Sequence, residues 1–122
     1  MTELEKYPKA TAVIKQWFLE KMIASLADDS VDEDFKQFMR EQGIDTDKLI
    51  IILNSNPHAM FEVFDAHKLY ISVMMTMMDG VKFQYVIADG EINRIKNVFY
   101  DKRFDAERNA TIEALGLLEE KL

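Results

Sequence analysis

The chain has 122 residues, of which 22 are acidic and 15 are basic, so its net charge is −7, and it contains no cysteine. This length suits one domain, and residues 1–122 are expected to form it. Nucleic acids and anionic lipid surfaces are held mainly by clustered Lys and Arg, so the acidic balance argues against direct binding to either. The missing thiols exclude a disulfide framework, an iron–sulfur cluster and a cysteine nucleophile.

Apolar residues make up 48% of the chain and charged residues 30%, which is typical of globular proteins. No apolar run approaches the roughly 20 residues that span a bilayer. The charged segment 1–6 does not resemble a signal peptide. We therefore expect a soluble, cytoplasmic protein that does not associate with a membrane.

Residues 8–27 are predicted to form the first helix of a helical part that covers residues 1–56. Pro8 fits the first helical turn, where its missing N–H costs nothing. Apolar side chains recur at helical spacing along this segment and are expected to form its buried stripe. They are Val13, Ile14, Trp17, Phe18, Met22 and Leu26.

Residues 31–42 are predicted to form a second helix. Ser30 and Glu33 have the spacing of a capping box, in which each side chain accepts a backbone N–H of the other residue. Gly43 stands where a residue of left-handed conformation ends a helix. The apolar face of this helix is expected to consist of Phe35, Phe38 and Met39.

A short third helix is predicted over residues 46–54. Asp45 is a suitable N-cap residue, and Ile44 and Leu49 are spaced as a hydrophobic staple. The run 49–53 also has high β propensity, so a strand is the alternative there.

Four antiparallel strands are predicted in the second part of the chain, residues 57–101, because apolar and polar residues alternate there. Residues 60–66 have a helical alternative, because Asn56-Pro57 is also a helix-start signal. The predicted strands are 60–65, 69–78, 81–88 and 92–100.

The third part of the chain, residues 102–122, returns to helical spacing over 103–121. Its small alanines allow close approach to a sheet. The last strand and the segment 106–118 are similar in packing pattern to the ends of many small bacterial and phage proteins, a likeness that implies no functional residue. The predicted apolar face contains Ala106, Ala110, Ala114, Leu117 and Leu118, with Thr111, Leu115 and Leu122 beside it. The predicted fold is therefore α+β, with N-terminal helices, a four-stranded antiparallel meander and a C-terminal helix packed on the sheet.

The hairpin between the second and third strands allows its register to be predicted. A two-residue loop at Asp79-Gly80 would bring the apolar set of one strand beside polar residues of the other. A three-residue loop over 78–80 pairs Met77 with Val81 and places both apolar sets, the odd positions, on one face. That loop needs a glycine in the left-handed region at its third position, where Gly80 stands. Because a one-residue slip reverses every side chain, we predict the three-residue loop.

The opposite face of the predicted sheet is too apolar for open water. Either the N-terminal helices cover it or it meets another chain, since exposed apolar patches usually mark interfaces. Met74 is the methionine of the dense group at 74–78 that points to this face. The candidate partner-binding residues are Met60, Phe64, Tyr70, Met74 and Val86.

An acidic patch precedes and begins the second predicted helix. Its carboxylates start with the spacing of a calcium loop, but Glu33 stands where the loop needs glycine and Met39 where it needs glutamate. We therefore interpret the patch as a solvated helix start, with contact to a basic partner as the alternative. Its members are Asp28, Asp29, Asp32 and Asp34.

Candidate chemistry elsewhere is sparse. His58, His67 and Asp65 are the best available metal ligands, but their spacing matches no standard site. Neither a nucleophile elbow nor a phosphate-binding glycine loop is present. We expect no cofactor and no catalytic residue.

The function predicted from the sequence is that of a small acidic, non-enzymatic interaction or regulatory protein. It would bind a protein partner or itself, as a homo-oligomer such as a dimer, through the apolar sheet face. The first alternative is a ligand-binding or enzymatic domain whose pocket, between sheet and helices, is lined by Tyr85, Trp17 and nearby carboxylates. The second is an acidic mimic of nucleic acid, such as a phage-type inhibitor.

Overall fold

The computed structural model of the chain describes residues 3–25, 33–77, 79–90, 92–95 and 98–122. These residues form five α-helices, one short 3-10 helix and three strands. In chain order they are α1 (Pro8–Ser25), α2 (Glu33–Gln42), α3 (Thr46–Ser55), the 3-10 helix Pro57–Met60, α4 (Phe61–Ala66), β1 (Leu69–Met77), β2 (Val81–Asp89), β3 (Ile92–Ile95) and α5 (Arg103–Lys121).

Helices α4 and α5 pack on the sheet, and α1 packs on α5 in turn. The prediction of an α+β fold with the C-terminal helix on the sheet is confirmed. The alanines of α5 are fully buried because small side chains let the helix lie close to its neighbours. The core between these layers includes Ile14, Leu49, Met60, Phe64, Leu69, Tyr85, Ile87, Ala110, Ala114, Leu115 and Leu118.

Helix α1 buries the predicted stripe only in part, with Val13, Trp17 and Phe18 partly buried against the core. Ile14 is buried as expected, but Met22 is exposed, and Leu26 lies outside the described residues. Leu19 and Ile23 are buried instead. Apolar side chains occur on several sides of this helix, so their spacing alone does not define one buried stripe.

Helix α2 ends as predicted and packs differently. Gly43 has a φ of +69° and donates its N–H to the carbonyl of Met39 at 2.9 Å, which closes the helix. The predicted capping box lies outside the described residues, because Ser30 does. Phe35 and Phe38 are exposed, so the predicted apolar face of α2 is not part of the described core.

Helix α3 confirms the helical prediction for residues 46–54. The Asp45 carboxylate accepts the backbone N–H of Asp47 at 3.2 Å and so caps the helix. Leu49 and Leu53, one helical turn apart, are buried, whereas Ile51 between them is exposed. The burial thus follows the period of a helix and not the full burial of a central strand.

The predicted first strand, 60–65, is wrong, because these residues are helical. Pro57 occupies the first turn of the 3-10 helix, and the chain continues directly into α4. Met60, Val63 and Phe64 have the i, i+3, i+4 spacing that places them on one buried side of a helix. The helical alternative is therefore confirmed, and the sheet has three strands where four were predicted.

The hairpin register is confirmed. Met77 pairs with Val81, and the ladder runs without interruption to the pair of Leu69 with Asp89. Gly80 has a φ of +105°, as the predicted loop requires. Asp79 also has a positive φ, of 48°, which the sequence did not indicate.

The predicted last strand, 92–100, is interrupted. β3 ends at Ile95, which pairs with Val86, and Tyr100 then returns to pair with Phe83. Residues 98–99 are not in a strand, so the predicted strand does not run unbroken to residue 100.

Candidate functional site

The two faces of the sheet differ in composition and in burial. The odd positions of β1 and β2 point to the helices, and Leu69, Tyr85 and Ile87 among them are buried. Directly paired residues project from the same face, so the even positions and their β3 partners form the opposite side, here called the open face. The open face consists of Tyr70, Ser72, Met74, Thr76, Lys82, Gln84, Val86, Ala88, Asn93 and Ile95.

Large apolar side chains of the open face are accessible to solvent. Tyr70 is 50% exposed, Met74 41% and Ile95 59%. Val86 pairs with Ser72 on one side and with Ile95 on the other, and it is half-buried between these two residues. Of the two alternatives for this face, coverage by the N-terminal helices is therefore excluded for the described residues. Its physical reason is the layering: α1 packs on α5, which occupies the other side of the sheet.

The open face is almost free of charge. Among its described residues, Lys82 is the one ionisable side chain apart from the Tyr70 phenol, and it forms an ion pair with Asp101. The hydrogen bond from the Lys82 ammonium, and then its positive charge, lower the pKa of Asp101. Ser72, Thr76, Gln84 and Asn93 add hydrogen-bonding groups around the apolar residues.

The structure separates the five predicted partner-binding residues into two groups. Tyr70, Met74 and Val86 lie on the open face. Met60 and Phe64 lie in the helical core and are fully buried, so their assignment to a surface is corrected. Sequence reasoning missed Ile95, although the alternation along the last predicted strand would have placed it beside Val86.

The predicted acidic patch is described only in part. Asp34 lies in the first turn of α2 and is exposed, where a carboxylate suits the helix dipole. Asp28, Asp29 and Asp32 lie outside the described residues.

The two histidines stand at opposite ends of the helical segment before β1. His58 lies in the 3-10 helix, with its Nδ1 3.4 Å from a carboxylate oxygen of Glu107, and His67 caps the C-terminus of α4. Within the described parts of the chain, no cluster of three or more His, Cys, Asp or Glu side chains is placed to hold a metal ion.

Trp17 and Tyr85, predicted to line one pocket, lie in different surroundings. Trp17 lines an open surface groove of about 610 Å³ together with Lys21 and Glu62. Tyr85 is a core residue whose phenol donates a hydrogen bond to Glu113. The structure therefore places Trp17, partly buried against the core, at the border of a groove, and Tyr85 in the packed interior.

A scan against models of protein families and searches of curated proteins and of solved structures each found no match to this chain. Among the described helices, none has both the length and the apolar character needed to cross a membrane.

Proposed function

We propose that this protein is a non-enzymatic interaction domain that binds a partner protein through the open face of its sheet. The observation that carries the proposal is the joint exposure of Tyr70, Met74 and Ile95 on a face whose described residues include one charged side chain, Lys82. Exposed apolar patches on soluble proteins mark sites of interaction with other molecules.

The chemistry of the open face favours protein over nucleic acid as the partner. Tyrosine and methionine are enriched in protein interfaces, where they give large contact areas. A phosphate backbone needs several cations, whereas Lys82 is already paired with Asp101. The expected partner surface is apolar at its centre, with hydrogen-bonding groups that match Ser72 and Asn93.

A site-specific photo-crosslinker at position 74 tests this proposal. It replaces Met74, and crosslinking is performed in native cell extract. We expect one defined crosslinked species from position 74, and we expect excess unlabelled protein to compete it away. The matched control carries the same crosslinker in place of Ile51, which is 64% exposed but lies on α3.

Tyr70→Asp, added to the position-74 probe, supplies the second arm of the test. Loss of an interface anchor typically costs about 2 kcal/mol, so the yield of the crosslinked species should fall roughly 30-fold. Because Tyr70 is half exposed, the thermal unfolding midpoint should stay nearly unchanged. Identical products from positions 74 and 51, or a yield unaffected by Tyr70→Asp, would contradict the proposal.

A further inference from the structure

β1 is an edge strand of the sheet. The strand order is β1-β2-β3, and no strand of the described residues lies on the outer side of β1. Phe83 exchanges both backbone hydrogen bonds with Tyr100, at 2.8 Å each, so the odd positions of β2 point their N–H and C=O groups toward β3. It follows from the alternation of an antiparallel ladder that Ile71, Val73 and Met75 point theirs outward at the free edge.

The free edge of β1 lacks the features that keep sheet edges from pairing. Its nine residues, Leu69–Met77, include no charged residue and no proline, and they pair with β2 without a bulge. Natural proteins protect exposed edges with lysine, proline, bulges or very short strands. A long, neutral and regular edge is instead suited to accept another strand.

The two halves of β1 are complementary on the side that faces the helices. In the second half, Met75 and Met77 project beyond the helices and are 61% and 72% exposed. In the first half, Ile71 borders two neighbouring cavities of about 480 and 410 Å³. Both cavities are also lined by His58 and Phe61, with charged side chains at their borders: Arg103 and Glu107 in the first, and Lys21, Glu62 and Asp65 in the second.

We propose that a second copy of this chain occupies the edge, with the two β1 strands pairing antiparallel about a two-fold axis at Val73. Val73 is the middle residue of β1, so this axis gives every residue of the strand a partner. Met75 then lies opposite Ile71 of the second copy, and Met77 lies opposite Leu69 of the second copy. Met75 is thereby placed over the cavities that border Ile71 of the other chain, because paired residues project from the same face.

Symmetry favours a second copy over an unrelated segment as the occupant. One copy supplies both the projecting Met75 and the cavities beside Ile71, which is the self-complementarity that a two-fold interface requires. The two β1 strands contain no charged residue, so their pairing brings no like charges together within the strands although each chain has a net charge of −7. The pairing joins two three-stranded sheets into one and leaves the open face accessible.

Disulfide trapping tests the register directly, because the chain has no cysteine of its own. In Val73→Cys the two thiols lie in one hydrogen-bonded pair, whose Cα atoms are about 5.5 Å apart and thus within disulfide range. In Met77→Cys, the matched control, the two thiols lie eight residues apart along the seam, about 26 Å. We expect rapid disulfide dimers from Val73→Cys only, although Met77 is the more exposed position.

The mass in solution supplies an independent readout. Light scattering should give twice the mass of one chain, and Met75→Lys, which places an ammonium against the apolar seam, should return the mass to one chain. Met22→Lys, the same change at an exposed position of α1, should leave the dimer intact. Ile95→Asp should also leave the dimer intact, while it removes crosslinking of the partner protein from position 74. The dimer proposal and the proposed function can therefore fail independently of each other.

The proposal is overturned by a single-chain mass at every concentration, or by disulfides that form as readily at position 77 as at 73. If Val73→Cys captures a different protein while the chain itself stays monomeric, the edge of β1 binds another partner, and this result would also overturn the proposal.

Discussion

Tyr85 combines a buried phenol with a neighbouring carboxylate. The residue is 2% exposed, and its hydroxyl donates a hydrogen bond to Glu113. Burial, followed by the negative charge of Glu113 and the proximity of Tyr100, raises the pKa of Tyr85 above its ordinary value near 10. The folded protein therefore retains this proton in a pH range where the unfolded chain releases it.

This difference predicts a loss of stability in alkali. Because the folded pKa of Tyr85 is the higher one, the contribution of the phenol is fully present below pH 10 and declines as the pH rises above it. Each pH unit beyond that point should cost up to about 1.4 kcal/mol of unfolding free energy. Urea unfolding between roughly pH 9 and pH 11 measures the decline.

Tyr85→Phe should make that decline shallower, although the variant is less stable at neutral pH because it loses a hydrogen bond. Tyr70→Phe is the control, since Tyr70 is half exposed on the open face. If the unfolding free energy falls equally steeply with pH in the wild type and in Tyr85→Phe, another group causes the loss of stability above pH 10.

At the scale of the element, α5 depends on small residues where it meets the sheet. Ala106, Ala110 and Ala114 are fully buried, and α5 contacts both β1 and β2. An added isobutyl group has no free volume to enter in an interior packed to crystal density. The buried side of α5 should therefore reject larger side chains.

Ala114→Leu tests this packing. Leucine is nearly as good a helix former as alanine, so the expected loss of about 1–3 kcal/mol reports overpacking and not helix propensity. Glu120→Leu, an exposed position on the same helix, is the matched control and should change stability little. The measurement is the urea midpoint at unchanged m-value, and equal midpoints for the two variants would contradict the packing argument.

The elements that depend on local chemistry could be predicted from the sequence. The register of the β1–β2 hairpin follows from alternation together with Gly80, and the start of α3 follows from Asp45. The segment 60–65 was mispredicted because its apolar spacing fits both a short strand and a helix, and Pro57 decides between them only in context. The pairing of Tyr100 with Phe83, beyond the end of β3, is a tertiary contact that no local signal encodes.

At the scale of the whole molecule, the two ends of the described chain are packed together. Leu4 is buried, and its carbonyl accepts a hydrogen bond from the Thr11 hydroxyl at 2.8 Å. Tyr7 lies about 3.5 Å from where a Cβ on Gly116 would stand, so this glycine admits the ring. The carboxylate of Glu119 accepts the backbone N–H of Ala10 at 2.6 Å. The first turns of the chain are thereby joined to α5.

Leu4→Ala should therefore destabilise the whole fold and not only its N-terminal end. Truncation of a fully buried leucine costs about 2–5 kcal/mol. We expect a lower melting temperature, with calorimetric and van't Hoff enthalpies that still agree, as for one cooperative transition. Leu122→Ala, at a position 45% exposed, is the control and should have little effect. A separate early transition in Leu4→Ala would show that the end frays by itself.

The candidate site could be predicted only in part. Alternation along β1 and β2 placed Tyr70, Met74 and Val86 on one face. Whether helices cover that face depends on which side of the sheet α5 and α1 pack against. Both faces of the sheet are apolar, so the sequence does not indicate which of them the helices cover. The free edge of β1 could not be foreseen while residues 60–65 were assigned to a neighbouring strand.

Trp17 is the only tryptophan of the chain, and the ammonium of Lys21 lies 4.6 Å from its ring centroid. Lys21 is also 2.6 Å from the carboxylate of Glu62, so this stack links α1 to α4. All indole fluorescence of the protein therefore originates at one position, on the rim of a surface groove. Because α4 contributes Glu62, a shift of α4 against α1 changes the ion pair that positions the Lys21 ammonium over the ring, and the emission of the unlabelled protein reports it.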